Sequence, residues 1–179
     1  MAFQYRTERN KKLYRHHRAL RWHVSTGAAL LVVLFIFTVW LRPLRMGDDG
    51  MAPTLKKDSA VLYDALIKYI KMPERTDIIT FREADGTIRV RRIVALAGES
   101  VCGQGKQLRL NENYVLEEPY TEGDTADFSV FTVPEGCVFA LPDNRSLFNG
   151  DNAQDYIVEL GRIRGIVHLG ILPEIQIYL

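Results

Sequence analysis

The hydrophobic and polar positions follow two different patterns on either side of Leu41. Residues 24–41 (VSTGAALLVVLFIFTVWL) form an unbroken run with no charge. At 1.5 Å per residue such a run reaches about 27 Å as a helix, close to the roughly 30 Å hydrocarbon thickness of a bilayer. Trp22 and Trp40 stand near its ends, where aromatic rings favour the membrane–water interface. Beyond the run, short apolar stretches with period-two alternation predict strands at 60–63, 77–81, 87–96, 128–133, 138–141 and 161–170. Turn signals separate them at Asp85-Gly86, Gly103-Gln104-Gly105, Pro134-Glu135-Gly136 and Asn149-Gly150-Asp151. Residues 64–71 (DALIKYIK) fit a helical turn or two as well as they fit a strand. The pattern predicts a mainly antiparallel β domain over 42–179 behind one transmembrane anchor at 24–41, with a flank at 1–23.

Charge assigns the two sides of the anchor to different compartments. At 179 residues and 47% hydrophobic, the chain has room for one domain and an anchor. Its formal net charge of +1 hides an asymmetry. Before the run lie Arg6, Arg9, Lys11, Lys12, Arg15, Arg18 and Arg21 against Glu8 alone, while from Met46 onward 14 Lys and Arg face 21 Asp and Glu. The positive-inside bias places the flank in the cytoplasm and the domain outside the cell membrane. The competing reading, a cleaved secretory signal, is disfavoured by the length of the run and by the exit Val39-Trp40-Leu41-Arg42-Pro43, which lacks a small-x-small site. Anionic lipid, rather than nucleic acid, is the expected partner of the basic flank.

Cys102 and Cys137 would lie outside, where a disulfide can persist. Both have apolar surroundings, so one bridge and two separate buried thiols remain open. His16, His17 and His23 fall in the flank and leave His168 alone in the domain, so the sequence offers no metal-ligand cluster and implies no cofactor.

Five segments carry the candidate chemistry. Gly50-Met51-Ala52-Pro53-Thr54-Leu55 follows the anchor. Arg75-Thr76-Asp77-Ile78-Ile79-Thr80-Phe81, Arg91-Arg92-Ile93-Val94-Ala95-Leu96-Ala97-Gly98-Glu99, Val133-Pro134-Glu135-Gly136 and Pro142-Asp143-Asn144-Arg145 come after it in that order. Together they resemble the conserved boxes of type I signal peptidases, especially the compact Gram-positive kind, and the resemblance covers nearly the whole chain. The family pattern reads Ser-Met-x-Pro-Thr-Leu, Arg-Gly-Asp-Ile-Val-x-Phe, Lys-Arg-x-x-Gly-Leu-Pro-Gly-Asp and Gly-Asp-Asn-Arg. Asp151, Val158, Ile163 and Gly165 match its closing Asp, Val, Ile and Gly once one extra residue is allowed before Asp151.

The resemblance implies an endopeptidase in which the Ser of the first box attacks and a desolvated Lys of the third box removes its proton. Here the Ser position is Gly50, which carries no nucleophile. The Lys position is Arg91, whose guanidinium stays protonated and cannot act as the base. The fourth box is eroded as well, with Pro142 in place of a Gly. Asp48 and Asp49 adjoin the vacant position, but neighbours on a strand point to opposite faces, which predicts a solvated turn or a salt bridge to Arg91 rather than a shared-proton pair. Ser59 and Ser100 have no evident base and read as structural. Met51, Ala52 and Pro53 are expected to line a peptide groove, with Asp143, Asn144, Arg145 and Asp151 as its supporting polar network.

The expected function is therefore a non-catalytic signal-peptidase-like protein that binds exported preproteins or pilin subunits. The resemblance suggests assembly of pili together with sortase, since some Gram-positive pilus gene clusters encode relatives lacking the Ser-Lys pair. An active signal peptidase using unconventional residues, or a structural partner of an active one, are the alternatives.

Overall fold

The computed structural model describes residues 20–111, 114–171 and 176–177. Most of the flank read at 1–23 lies outside them. The apolar run forms helix α1, Leu20–Trp40, whose last turn winds as a π-helix over Ile36–Trp40. It is long and apolar enough to cross a bilayer. Its few hydroxyls are satisfied within the helix: Ser25 and Thr26 donate to the Trp22 carbonyl at 2.9 and 3.0 Å, and Thr38 donates to the Leu34 carbonyl at 2.7 Å. Such internal bonds let a polar side chain sit in hydrocarbon. The helix starts four residues before the apolar run and stops one residue before its end, because Leu41 already belongs to a strand.

The rest of the chain is a β unit with two antiparallel sheets. The larger sheet runs β1 (Leu41–Arg45), β2 (Ala60–Asp64), β11 (Ile163–Ile171), β3 (Ile78–Arg82), β4 (Ile88–Ala95), β9 (Cys137–Leu141) and β10 (Ile157–Glu159) in spatial order, with β12 (Gln176–Ile177) also paired to β11. The smaller sheet runs β7 (Tyr114–Val115), β6 (Gln107–Leu110), β5 (Ser100–Gln104) and β8 (Phe128–Thr132). All six strand segments read from alternation are strands here, with ends shifted by a residue or two. Residues 64–71 resolve to a 3-10 turn at Ile67–Tyr69.

Strand β1 carries Pro43, a residue that central strands reject because it cannot donate to the ladder, and β1 is an edge strand. The β5–β6 hairpin turns on Gly105 and Lys106, with φ of +61° and +71°. A two-residue loop with both φ positive matches the right-handed twist of its strands. Gly103 is not part of that turn. It lies within β5, where an added Cβ would come within 2.3 Å of the Ala126 carbonyl oxygen.

Three apolar clusters fill the unit. Val94, Val101, Leu108, Leu110, Phe139, Leu141 and Phe148 join the smaller sheet to one end of the larger. Edge-to-face pairs of Phe131 with Phe139 and of Phe148 with Tyr156 extend this cluster. Met46, Met51, Leu55, Val61, Ile78 and Val90 form a second cluster, and Ile79, Ile93, Ala140, Val158, Ile163 and Ile166 a third. Ile78 and Ile79 are consecutive on β3 and fall in different clusters, as pleating requires.

Candidate functional site

Strand β4 brings the candidate residues together. On one side it pairs with β3 along its length, Ile79 opposite Arg91 and Ile78 opposite Arg92. On the other side β9 covers it only from Arg92 onward, where Leu141 is the partner. Among the described residues no strand lies beside Ile88–Arg91 on that flank, and two loops reach this end of β4 instead. One holds residues 48–55 and the other holds residues 142–145. The Asn144 backbone N–H donates to the Gly50 carbonyl at 3.0 Å and ties the two loops to each other.

Gly50 and Arg91, the positions at which the resemblance expects nucleophile and base, meet directly. A Cβ on Gly50 would lie 2.6 Å from Arg91 Nη1 and 2.9 Å from Asp48 Oδ1. The space a side chain would need is thus taken by the guanidinium. Arg91 is held there by Asp48, with Nη2 3.3 Å from Oδ2, and by the Val90 carbonyl, which accepts from Nη1 at 2.7 Å. Arg89, two residues away and so on the same face, places Nη1 2.7 Å from Asp48 Oδ2 and Nε 3.2 Å from Glu83. Asp48 also accepts the Gly50 N–H at 2.9 Å. Burial raises the pKa of the Asp48 carboxyl, but the Arg91 charge and hydrogen bonds from Arg91, the Gly50 N–H and Arg89 outweigh it and hold it below the usual carboxylate range. The Asp48 carboxylate is therefore charged, committed to Arg91 and Arg89, and a weaker base than an ordinary aspartate.

Asp49 turns away from Asp48. It is exposed, and its Oδ1 accepts the Lys57 N–H at 2.8 Å. Ser59 is buried in the turn, where its backbone bonds to Met46 and Lys56.

A second network lies next to the first and is far better enclosed. Arg92 makes a two-pronged contact with Asp143, Nε to Oδ1 at 2.9 Å and Nη2 to Oδ2 at 2.6 Å. The Thr54 hydroxyl donates to the same Oδ2 at 2.6 Å, and the Arg92 guanidinium lies 3.9 Å from the centre of the Tyr120 ring. Arg145 pairs with Glu118 and donates to the Pro142 carbonyl. Burial raises the pKa of Glu118 more than Arg145 lowers it, and burial together with the Glu118 charge raises that of the Tyr120 phenol. Asp143 and Arg145 are almost wholly buried and brace the loop that carries Asn144.

Two expectations need correction. Met51 does not line a groove: it is fully buried among Met46, Val61 and Val90, because the backbone turn that exposes Pro53 directs the methionine inward. Asp151 takes no part in the polar network. It is exposed near the start of the 3-10 helix Gly150–Tyr156, where its N–H bonds to Asn149. Of the two arrangements open for Cys102 and Cys137, the structure has separate, half-buried thiols, one on β5 of the smaller sheet and the other opening β9 of the larger. Arg92, Thr54, Glu118 and Tyr120 escaped the sequence reading. Arg92 alone gave a signal, as a charge at an inward position of an apolar strand.

Comparison with known proteins gives this arrangement a family. The family model "Signal peptidase, peptidase S26" matches residues 19–147. Signal peptidase I U of Bacillus subtilis is 33% identical over 131 residues, covering 65% of this chain and 69% of that protein. Signal peptidase I S of the same organism is 30% identical over 138 residues, covering 70% and 74%. Signal peptidase I of Bacillus caldolyticus is 27% identical over 178 residues, covering 91% and 94%. A crystal structure of a signal peptidase I from Enterococcus faecalis is 29% identical and matches with a TM-score of 0.46, covering 54% of this chain and 97% of that one. The chain, with its β unit behind one apolar N-terminal helix, belongs to the signal peptidase I family.

Proposed function

We propose that this member binds exported polypeptides at the outer membrane surface without cutting them and, with pilin subunits as its ligands, assists pilus assembly alongside sortase. The observation that carries the first part is the packing of Gly50 against Arg91. The position expected to attack has no side chain, and its space holds a guanidinium already committed to Asp48. Neither residue supplies a nucleophile or a base. The half of β4 that β9 leaves uncovered supports peptide binding, because an extended segment can add to such an edge by main-chain hydrogen bonds. The basic flank favours a cytoplasmic N-terminus, which puts this edge outside. The pilus setting rests on the resemblance to dyad-lacking members in pilus gene clusters.

The test is incubation of the detergent-solubilised full-length protein with a preprotein and, separately, with a pilin precursor, each scored for cleavage and for a stable complex. Complex formation without cleavage is expected, with the pilin precursor retained more strongly. The Gly50→Ser, Arg91→Lys double variant restores both missing groups and should gain cleavage. Cleavage by the unmodified chain would overturn the reading and favour an enzyme with unconventional residues.

A further inference from the structure

The Arg91 guanidinium is only partly used by the fold. Its two terminal nitrogens face Asp48, Nη1 3.4 Å from Oδ1 and Nη2 3.3 Å from Oδ2, and Nη1 also donates to the Val90 carbonyl at 2.7 Å. Among the described residues none accepts from its Nε. An arginine can present a carboxylate with two forks, one through Nη1 and Nη2 and one through Nε and Nη2. Asp48 sits in the first at long range, and the second holds no carboxylate. The Arg91 Nε is open to solvent, unlike the buried Nε atoms of Arg42, Arg109 and Arg145, which also lack a partner. A free donor on a mostly buried side chain, reachable from outside, is suited to a ligand acceptor.

Asp48 does not depend on Arg91. Its shortest contact is with Arg89 Nη1 at 2.7 Å, and it also accepts the Gly50 N–H at 2.9 Å. Arg91 can thus engage another carboxylate while Asp48 keeps two donors. Strand register says where such a group would stand. Arg89 and Arg91 project from one face of β4, on the stretch Ile88–Arg91 that β9 leaves unpaired. A strand added there lies about 4.8 Å from β4, and its alternate side chains project from that same face beside the two arginines. A carboxylate on the side chain opposite Arg91 reaches the open fork. A C-terminal carboxylate fits less well, because it continues the main chain within the plane of the sheet.

We infer that the polypeptide bound along this edge carries Asp or Glu opposite Arg91, and that Arg91 selects it through the Nε and Nη2 fork. The position expected to hold a base then works as a carboxylate receptor, a task for which the planar guanidinium is better shaped than an ammonium. Glutamine at the same residue of the ligand keeps the shape but loses the charge, so it binds more weakly. This selectivity rests on the peptide-binding reading proposed above and adds to it the chemistry of the ligand.

The test uses fluorescently labelled, threonine-rich extended peptides, amidated at the C-terminus, with a single central Glu or, in the matched probe, Gln. Binding to the detergent-solubilised full-length protein is read by anisotropy. The Glu peptide should bind about tenfold more tightly, a preference that shrinks with added salt. Arg91→Gln should bring the Glu peptide to the affinity of the Gln peptide while the Gln peptide stays bound, which shows that the variant is folded. Arg91→Lys keeps the charge but not the fork and should lose most of the preference. Lys106→Gln, which removes a charge from an exposed position of the smaller sheet, should change neither affinity. Equal binding of the two peptides by the unmodified protein overturns the carboxylate selectivity and leaves peptide binding standing. A preference for Glu that survives Arg91→Gln also overturns it, as does a preference that follows a free C-terminus on the Gln peptide instead of the Glu side chain. Binding of neither peptide defeats the selectivity and the edge-binding reading together.

Discussion

Two charge clusters meet at neighbouring residues of β4, and they differ in how fully the chain encloses them. Arg92 faces Asp143 at 8% and 0% side-chain exposure, with three hydrogen bonds to the carboxylate from Arg92 and Thr54. Arg91 shares Asp48 with Arg89, and all three side chains retain some access to water, 11% for Arg91, 26% for Asp48 and 33% for Arg89. In the first cluster every bond is made inside the fold, so it works as a brace. In the second, Arg89 holds Asp48 at 2.7 Å but the Arg91 contacts to it are longer, 3.3 and 3.4 Å, and that side of the cluster can yield. The brace ties β4 to the loop that carries Asp143, while the open cluster surrounds Gly50.

Removing one member of the brace should have the largest effect. Asp143→Ala leaves the Arg92 charge buried without its partner, which costs roughly 3–5 kcal/mol. The unfolding midpoint of the detergent-solubilised protein should fall far below that of Asp48→Ala, whose partly hydrated pairs are worth about 1 kcal/mol or less. Equal losses from the two variants would erase the distinction between the clusters.

The brace also holds a strained residue. Thr76 has φ of +74°, a region that a β-branched side chain rarely adopts. It stays there because Arg92 Nη1 grips its carbonyl at 3.1 Å while its N–H bonds to the Ile93 carbonyl at 2.9 Å. Thr76→Gly removes the steric cost and should stabilise by about 1–2 kcal/mol, even after the extra entropy of an unfolded glycine. A fall in the unfolding midpoint would show that the threonine side chain contributes more than its backbone strain removes.

These residues also show which parts of the molecule were legible in the sequence. Alternation was readable wherever a strand has one wet face or a long apolar run, as in β3, β4 and β9. It failed at β5 because Gly103 reads as a turn, whereas the residue is there to let the Ala126 carbonyl approach the strand. It failed at β1 because Leu41 reads as the end of the apolar run and Arg42, Pro43 and Arg45 break the strand pattern after it, the proline being tolerated because the strand is an edge. At the site, motif order located Gly50, Arg91 and Asp143, since a motif is a local string. Arg92 meets Asp143 across 51 residues and Glu118 meets Arg145 across 27, and no local pattern names the partner in such contacts. Met51 was misassigned for a related reason: a motif places a residue beside a site without saying which way it points.

The open cluster offers its own test in Gly50. An alanine Cβ there would come within 2.6 Å of Arg91 Nη1, the far end of a flexible side chain that can swing aside. Gly50→Ala should therefore cost little beyond the contacts Arg91 gives up, and that cost should vanish in an Arg91→Ala background. A double-mutant cycle is expected to show coupling of about 0.5–1.5 kcal/mol. Gly165 makes the contrast, because its added Cβ would strike the Asp64 carbonyl oxygen at 2.1 Å, where only backbone could move. Gly165→Ala should be more damaging and indifferent to Arg91. A Gly50→Ala cost unchanged by loss of Arg91 would mean that the loop itself, not the guanidinium, closes the position.

The smallest expected effect is a pH dependence confined to the open cluster. The Asp48 pKa is lower in the folded protein than in the unfolded chain, so the folded state favours the charged carboxylate. Its contribution to stability is fully present above the ordinary Asp value of about 4 and is lost as pH falls through the depressed folded value. Asp48→Asn should accordingly be less stable than the parent at neutral pH, by under about 1 kcal/mol given the hydration of the pair. The gap should close in acid and narrow with added salt at neutral pH, because partly exposed pairs are screened. A gap that stays constant from neutral pH to well below pH 4 would assign the value of Asp48 to its shape in the turn, through the Gly50 N–H, rather than to its charge. In that case Arg91 would be held over Gly50 by packing and by the Val90 carbonyl alone, and the guanidinium would be freer to move aside for a bound peptide than the ion pair implies.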